Sequence, residues 1–168
     1  MNPNGRVAVL QHAEVVLWES HTIIRFPAAK WGVGALWIED PFSRWYADRW
    51  MDWGHTALQP DLMGLFWGYY RTPEAERNIR RVESAATRCA ADFDLLADPL
   101  ATRPFVPGEI FVTCNIPIGT ALYRYFERGY WVAAPSAVPR YYERLCQRSA
   151  HPSQIMLDFS ELRGSTDF

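Results

Sequence analysis

The stretch that most limits what this chain can become is Val15-Val16-Leu17-Trp18-Glu19-Ser20-His21-Thr22-Ile23-Ile24-Arg25-Phe26. Its first four residues are apolar and strand-like, while Ile23, Ile24 and Phe26 fall at helical spacing, so the polar Glu19-Ser20 pair marks a strand-to-helix junction. The first turn of a helix presents backbone N–H groups without partners and the positive end of the dipole, and Ser20 adds a hydroxyl that suits a carboxylate. Glu19 beside it suits an ammonium group. Two readings follow from these residues: a grip for the zwitterionic end of an amino acid or peptide, or an ordinary N-cap at Ser20 beside a solvated Glu19.

The residues before the junction, Asn2-Pro3-Asn4-Gly5-Arg6-Val7-Ala8-Val9-Leu10, extend the pattern. NPNGRVAVL followed by LWESHTIIRFPA resembles the second half of the glutathione-binding, thioredoxin-like domain of cytosolic glutathione S-transferases, whose motifs read roughly NP-x-G-(K/R)-VP-x-L and L-x-ES-x-AI-x-RYLA. The resemblance implies that Glu19 and Ser20 hold the γ-glutamyl end of glutathione and that the backbone of Val7 pairs with its cysteinyl part. Ala8 stands where the family has a cis-proline. A cis bond before alanine costs ~3 kcal/mol, so a trans Val7–Ala8 peptide is predicted, with Val7 turned away from that pairing geometry.

A second stretch, Phe111-Val112-Thr113-Cys114-Asn115-Ile116-Pro117-Ile118-Gly119, resembles the opening of the family's core helix, F-(S/T)-x-A-D-I-P-x-G. In the family the Ser/Thr and Asp form a reciprocal capping box. Here Val112 and Asn115 occupy those positions, so the box is lost at a cost of ~1 kcal/mol, and Thr113 or Asn115 is expected to cap a shifted start.

The resemblance runs from Asn2 to about Pro152 and begins in the middle of the family's pattern. The family's first βαβ part, which supplies the tyrosine, serine or cysteine acting on the thiolate, has no counterpart, so no catalytic residue is assigned and conjugation is expected to be weak. The implied fold is mainly α: an all-helical C-terminal domain (41–168) with a remnant of a thioredoxin-like α/β domain, two strands and one helix (1–32), joined by a linker (33–40). The implied ligands are glutathione as cosubstrate and a small hydrophobic electrophile, in a homodimer. The alternative is a noncatalytic relative kept as a dimerisation or interaction module.

Composition narrows the field further. A chain of 168 residues, 49% hydrophobic and 15% aromatic, buries roughly 70% of its unfolded surface and is not a disordered polymer. No apolar run approaches the ~20 residues of a membrane span, and no signal peptide is recognisable, so a cytoplasmic location is expected. A net charge of −2 offers no footprint for nucleic acid. Cys89, Cys114 and Cys146 show neither disulfide nor zinc spacing and read as buried small hydrophobes; no metal site is expected. His12, His21, His55 and His151 are scattered, with no Ser-His-Asp or Cys-His pattern.

In chain order, strands are predicted at Arg6–Leu10 and Glu14–Trp18, joined by Gln11-His12-Ala13. A helix follows from Ser20 to Trp31, stopped at Gly32 and kinked by Pro27. Beyond Pro41 a long helix reaches about Tyr70, bent or broken at Pro60. Along it Trp45, Arg49, Trp53 and Ala57 form a stripe that is either core or, for Trp45, Arg49 and Trp53, the wall of an electrophile pocket. Thr72-Pro73-Glu74 marks the next helix start, with Ile79, Val82, Ala86, Cys89, Phe93 and Leu96 facing inward. Further helices are expected through Leu122, Tyr123 and Phe126 and from Pro135 to Arg148, with a frayed tail after Ser160.

Overall fold

In the computed structural model, which describes residues 2–129 and 132–166, the chain opens with an antiparallel hairpin. Strand β1 (Val9–His12) pairs with β2 (Val15–Trp18), Val9 opposite Trp18 and His12 opposite Val15. The connection is the two-residue turn Ala13-Glu14, later and tighter than predicted, and Ala13 takes the positive φ of 50° that such turns favour. Ahead of β1, a turn closes from Gly5 N–H to the Asn2 carbonyl at 3.1 Å, and the Asn2 side chain donates to the Arg6 carbonyl at 2.8 Å. The Val7–Ala8 peptide is cis, contrary to the trans bond predicted. An intrinsic preference speaks for an isolated bond, not for one held between this turn and β1.

Helix α1 (Ser20–Trp31) has the predicted bounds, with Pro27 inside it. Gly32 closes it by donating to the Ala28 carbonyl at 2.8 Å; a Cβ there would sit 2.9 Å from the same oxygen, so the stop needs glycine. Arg25 ties α1 to α2 (Pro41–Trp53), reaching Asp48 at 3.2 Å and Asp52 at 2.6 Å. Asp40 caps α2 by accepting from Ser43 N–H at 2.8 Å.

The long helix does not break at Pro60. A π-helical turn (Gly54–Leu58) follows α2 directly, then α3 (Gln59–Leu65), then a second π-helical stretch (Phe66–Arg71). Pro60 falls in the first turn of α3, where a missing N–H is tolerated. The inward face is Ala47, Trp50, Met51, Leu58, Leu62 and Leu65, whereas Trp45 is 50% exposed and Trp53 half-buried. The predicted Trp45-Arg49-Trp53-Ala57 stripe is therefore not the core face.

Thr72-Pro73-Glu74 leads only into a 3-10 turn (Glu74–Glu76); the true start is Asn78, whose side chain accepts from Arg81 N–H at 3.2 Å. Helix α4 (Ile79–Leu100) buries Val82, Ala85, Cys89, Phe93 and Leu96, includes Pro99, and leaves Ile79 57% exposed. Helices α5 (Asn115–Phe126) and α6 (Ala137–Cys146) complete the core with Ile118, Leu122, Tyr125, Tyr141 and Leu145, all nearly inaccessible. Each such side chain contributes roughly 1.5–3 kcal/mol. The short α7 (Ala150–Gln154) follows. Cys89 and Cys114 are buried, as expected, and Cys146 only half so.

The segment after α7 is not frayed over its described residues. Gly164 N–H bonds the Tyr70 carbonyl at 2.9 Å, Arg71 Nε donates to the Ser165 carbonyl at 2.7 Å, and Phe159 lies edge-on against Tyr70 and Tyr123. The architecture is thus mainly α with one hairpin. Among the described residues, no helix is long and apolar enough to cross a membrane.

Candidate functional site

The junction between β2 and α1 has the geometry of an open helix end. Glu19, not Ser20, takes the N-cap position, and no side chain caps the first turn. The predicted alternative of Ser20 as the cap does not hold, because the helical conformation already includes it. Glu19 sits at φ 70° and ψ 117°, with its carbonyl accepting from Ile23 N–H at 2.9 Å. A non-glycine residue in that region costs ~1–3 kcal/mol, and such residues cluster where a ligand is held. Both Glu19 and Ser20 are exposed. The β1–β2 ladder ends at the Val9–Trp18 pair, so Val7 ahead of β1 and Glu19 after β2 both follow from the same end of the hairpin, and Val7 is exposed.

Ser20 opens onto a cavity of about 230 Å³ at the seam between α1 and the helical bundle. Helix α1 contributes Ser20, His21 and Ile24; α3 contributes Gln59, Leu62 and Met63; α5 contributes Ile116, Pro117, Thr120, Ala121 and Arg124, with Arg128 just beyond it. The two stretches that carry the family resemblance therefore converge here, Glu19-Ser20 from one side and Ile116-Pro117 from the other. Arg124 and Arg128 bring positive charge, and among the described residues no carboxylate lines the cavity.

Asn115 explains how α5 starts without a capping box. Cys114 is the N-cap and makes no side-chain cap bond. Asn115 lies inside the helix, 1% exposed, with Nδ2 donating to the Val112 carbonyl at 3.1 Å and Oδ1 accepting from the Tyr141 hydroxyl at 2.7 Å. Neither predicted cap, Thr113 or Asn115, serves. The buried network fixes the helix start that carries Ile116 and Pro117.

His21 was not singled out by the sequence, and the structure places it on the cavity wall beside His55, ring centroids 5.1 Å apart. Burial, then His55 and Arg25, lower its pKa below the usual imidazole value, leaving it neutral near pH 7. Cys89 and Cys114 are no candidates for thiolate chemistry, since burial pushes both up to about 12. Trp45, Arg49 and Trp53 do not reach the Ser20 cavity; Arg49 and Trp53 line a separate depression with Trp50 and Leu95. Among the described residues, no group of three or more His, Cys, Asp or Glu is placed to hold a metal ion.

A hairpin feeding an uncapped helix end and laid against a helical bundle is the arrangement implied by the sequence resemblance to glutathione transferases. Comparison with known proteins agrees. The chain is 35% identical over 163 residues to glutathione S-transferase GstB of Escherichia coli strain K12, covering 95% of this chain and 78% of that one. It superposes with a TM-score of 0.88 and 36% identity on the theta class glutathione S-transferase of Xanthomonas axonopodis pv. citri with glutathione bound, covering 94% and 75% of the two chains. The Bombyx mori glutathione transferase BmGSTD1, at 18% identity and a TM-score of 0.82, shares the fold. No profile of a known protein family matches the chain. The chain belongs to the glutathione S-transferase family.

Proposed function

We propose that this protein binds glutathione as cosubstrate at the α1 N-terminus and transfers it to small hydrophobic electrophiles. The observation that carries the reading is the uncapped first turn of α1, with Ser20 opening onto a cavity whose lining includes Arg124 and Arg128 and, among the described residues, no acid. The γ-glutamyl carboxylate is assigned to Ser20 and the free N–H groups, its ammonium to Glu19, and the cysteinyl backbone to Val7. The acceptor is assigned to the apolar wall formed by Ile24, Leu62, Met63 and Ile116, in place of Trp45, Arg49 and Trp53. Residues 1–32 act as the glutathione-binding part, 33–40 as linker and 41–168 as helical domain, in a cytoplasmic homodimer. Exposed Val7, Val9 and Val15 on the hairpin support the dimer and equally favour a second reading, a noncatalytic dimerisation module.

Calorimetric titration with glutathione, on the wild type and Ser20→Ala, tests the reading. Loss of a charge-assisted hydrogen bond of about 1.5–3 kcal/mol weakens binding roughly ten- to a hundredfold. Turnover of an aromatic electrophile alongside binding establishes transfer, and binding without turnover establishes the noncatalytic module. No glutathione binding at millimolar concentration refutes both glutathione assignments.

A further inference from the structure

The seam between α1 and the bundle carries a pair of imidazoles that the glutathione assignments leave unused. His21 sits in the first turn of α1 and lines the cavity beside Ser20, and His55 meets it from the π-helical turn, the rings 5.1 Å apart and tilted by 58°. His21 is half-buried and His55 exposed. Charged groups face His21 from every side of the seam: Glu19 and Arg25 from its own segment, Asp52 from α2, His55 from the π-helical turn, and Arg124 and Arg128 across the cavity from α5 and the turn after it. Gln59, which α3 places on the same wall, is uncharged. Burial, then His55 and Arg25, oppose a proton on His21, while Asp52 and Glu19 favour one; the balance falls below the ordinary imidazole value of 6.5.

The contacts that hold α1 against the bundle are modest. Arg25 bonds Asp48 at 3.2 Å and Asp52 at 2.6 Å, Ile24 packs on the core, and Ala28 is buried. Beyond Gly32 the chain stays tied to the bundle, since Thr113 N–H donates to the Leu36 carbonyl at 3.3 Å. Ion pairs on a partly exposed flank hold weakly, so a new charge placed inside the seam shifts the balance. We propose that the His21–His55 pair is an acid-sensitive latch on this seam: with His21 neutral, α1 lies closed on the bundle, and a proton on His21 drives its first turn away from the π-helical turn and opens the cavity at Ser20. An open seam returns His21 to water, where it takes the proton more readily than in the closed one. Closure is therefore fully supported above pH 6.5 and is lost as pH falls through the lower value of the closed state. The latch needs no ligand and stands whether or not the cavity binds glutathione.

The test is amide hydrogen exchange on the whole chain without ligand, at pH 7.5 and 5.5 and corrected for intrinsic rates, in the wild type and His21→Gln. The quantity read is the protection of α1 relative to that of α4, because a general loss of stability in acid lowers both and leaves their ratio unchanged. On going to pH 5.5 the wild type is expected to lose about threefold or more of this relative protection, and His21→Gln to keep it. A second measurement follows the imidazole proton signals through a pH titration of the wild type and His55→Gln. His21 is expected to titrate below 6.5 in the wild type and to move upward when His55 is removed, and this arm decides the matter should His21→Gln not fold. Equal losses in α1 and α4 overturn the latch, as does a relative loss that persists in His21→Gln. A wild-type His21 that titrates at or above 6.5, or one that ignores His55→Gln, overturns it as well.

Discussion

Tyr141 donates a hydrogen bond from its hydroxyl to Oδ1 of Asn115 across 2.7 Å, joining α6 to the first turn of α5 inside the apolar core. Removing one partner leaves the other buried and unsatisfied, so Tyr141→Phe is expected to lower stability by about 1–3 kcal/mol. Urea unfolding measures it, and a shift under about 0.5 kcal/mol would show that the bond does not hold the helix start.

Asp92 on α4 is buried, and its burial together with the Asp61 carboxylate raises its pKa from 3.8 to about 6. The folded state therefore holds its proton more tightly than the unfolded one. This contribution is fully present below pH 3.8 and is lost as pH rises through about 6. At pH 7.5 the ionised group is a burden, and Asp92→Asn is expected to stabilise by about 1 kcal/mol, with little effect at pH 4. A melting temperature that falls in Asp92→Asn at pH 7.5 contradicts the assignment.

His151 works in the opposite direction. Its ring is buried beside Tyr142, neither ring nitrogen has a well-formed hydrogen bond, and burial lowers its pKa below 6.5, with only the Gly119 backbone acting against that shift. The unfolded state binds the proton more readily, so the stability it contributes is complete above pH 6.5 and is lost as pH falls through the lower folded value. In His151→Gln the stability profile between pH 7 and 5 should be flatter than in the wild type. An unchanged slope would place the acid sensitivity elsewhere.

Phe159 anchors the segment after α7 against Phe66, Tyr70 and Tyr123, at ring separations of 5.4 to 6.1 Å. Phe159→Ala is expected to cost about 1–3 kcal/mol and to release the segment that Gly164 and Ser165 hold to Tyr70 and Arg71. Limited proteolysis should then cut after α7 before the core opens; cutting no faster than in the wild type would mean that the backbone bonds suffice.

Much of the fold is legible because its signals are local. Ser20 to Trp31 could be bounded from periodicity and Gly32, and α6 from Val138, Tyr141 and Leu145. Thr72-Pro73-Glu74 misleads because its capping chemistry is used on a single 3-10 turn, whereas Asn78 starts the helix with a weaker signature. The docked tail is invisible in sequence, since its bonds to Tyr70 and Arg71 bridge about ninety residues. At the site, Glu19 and Ser20 announce themselves through the junction, but Arg124 and Arg128 read as ordinary solvated charges near a helix end. The one available hint was their like-charge spacing of four, which an isolated helix disfavours. His21 and His55 stand far apart in sequence and meet where α1 lies beside the π-helical turn, with Arg25 bonded to Asp48 and Asp52 nearby.

The π-helical turn at Gly54–Leu58 sets the rotational phase of the helix on either side of it. An α-helix advances about 100° per residue, so the extra residue of a π turn is a built-in angular offset between the inward faces of α2 and α3. Deleting one residue within 54–58 and restoring plain α geometry would remove the extra residue and its unwinding together, leaving Trp50, Met51, Leu62 and Leu65 all inward, whereas a deletion inside α2 with the π turn kept would turn the residues ahead of the gap by about 100°. The tolerance of this helix to change is thus a matter of where a residue is lost before it is one of residue type.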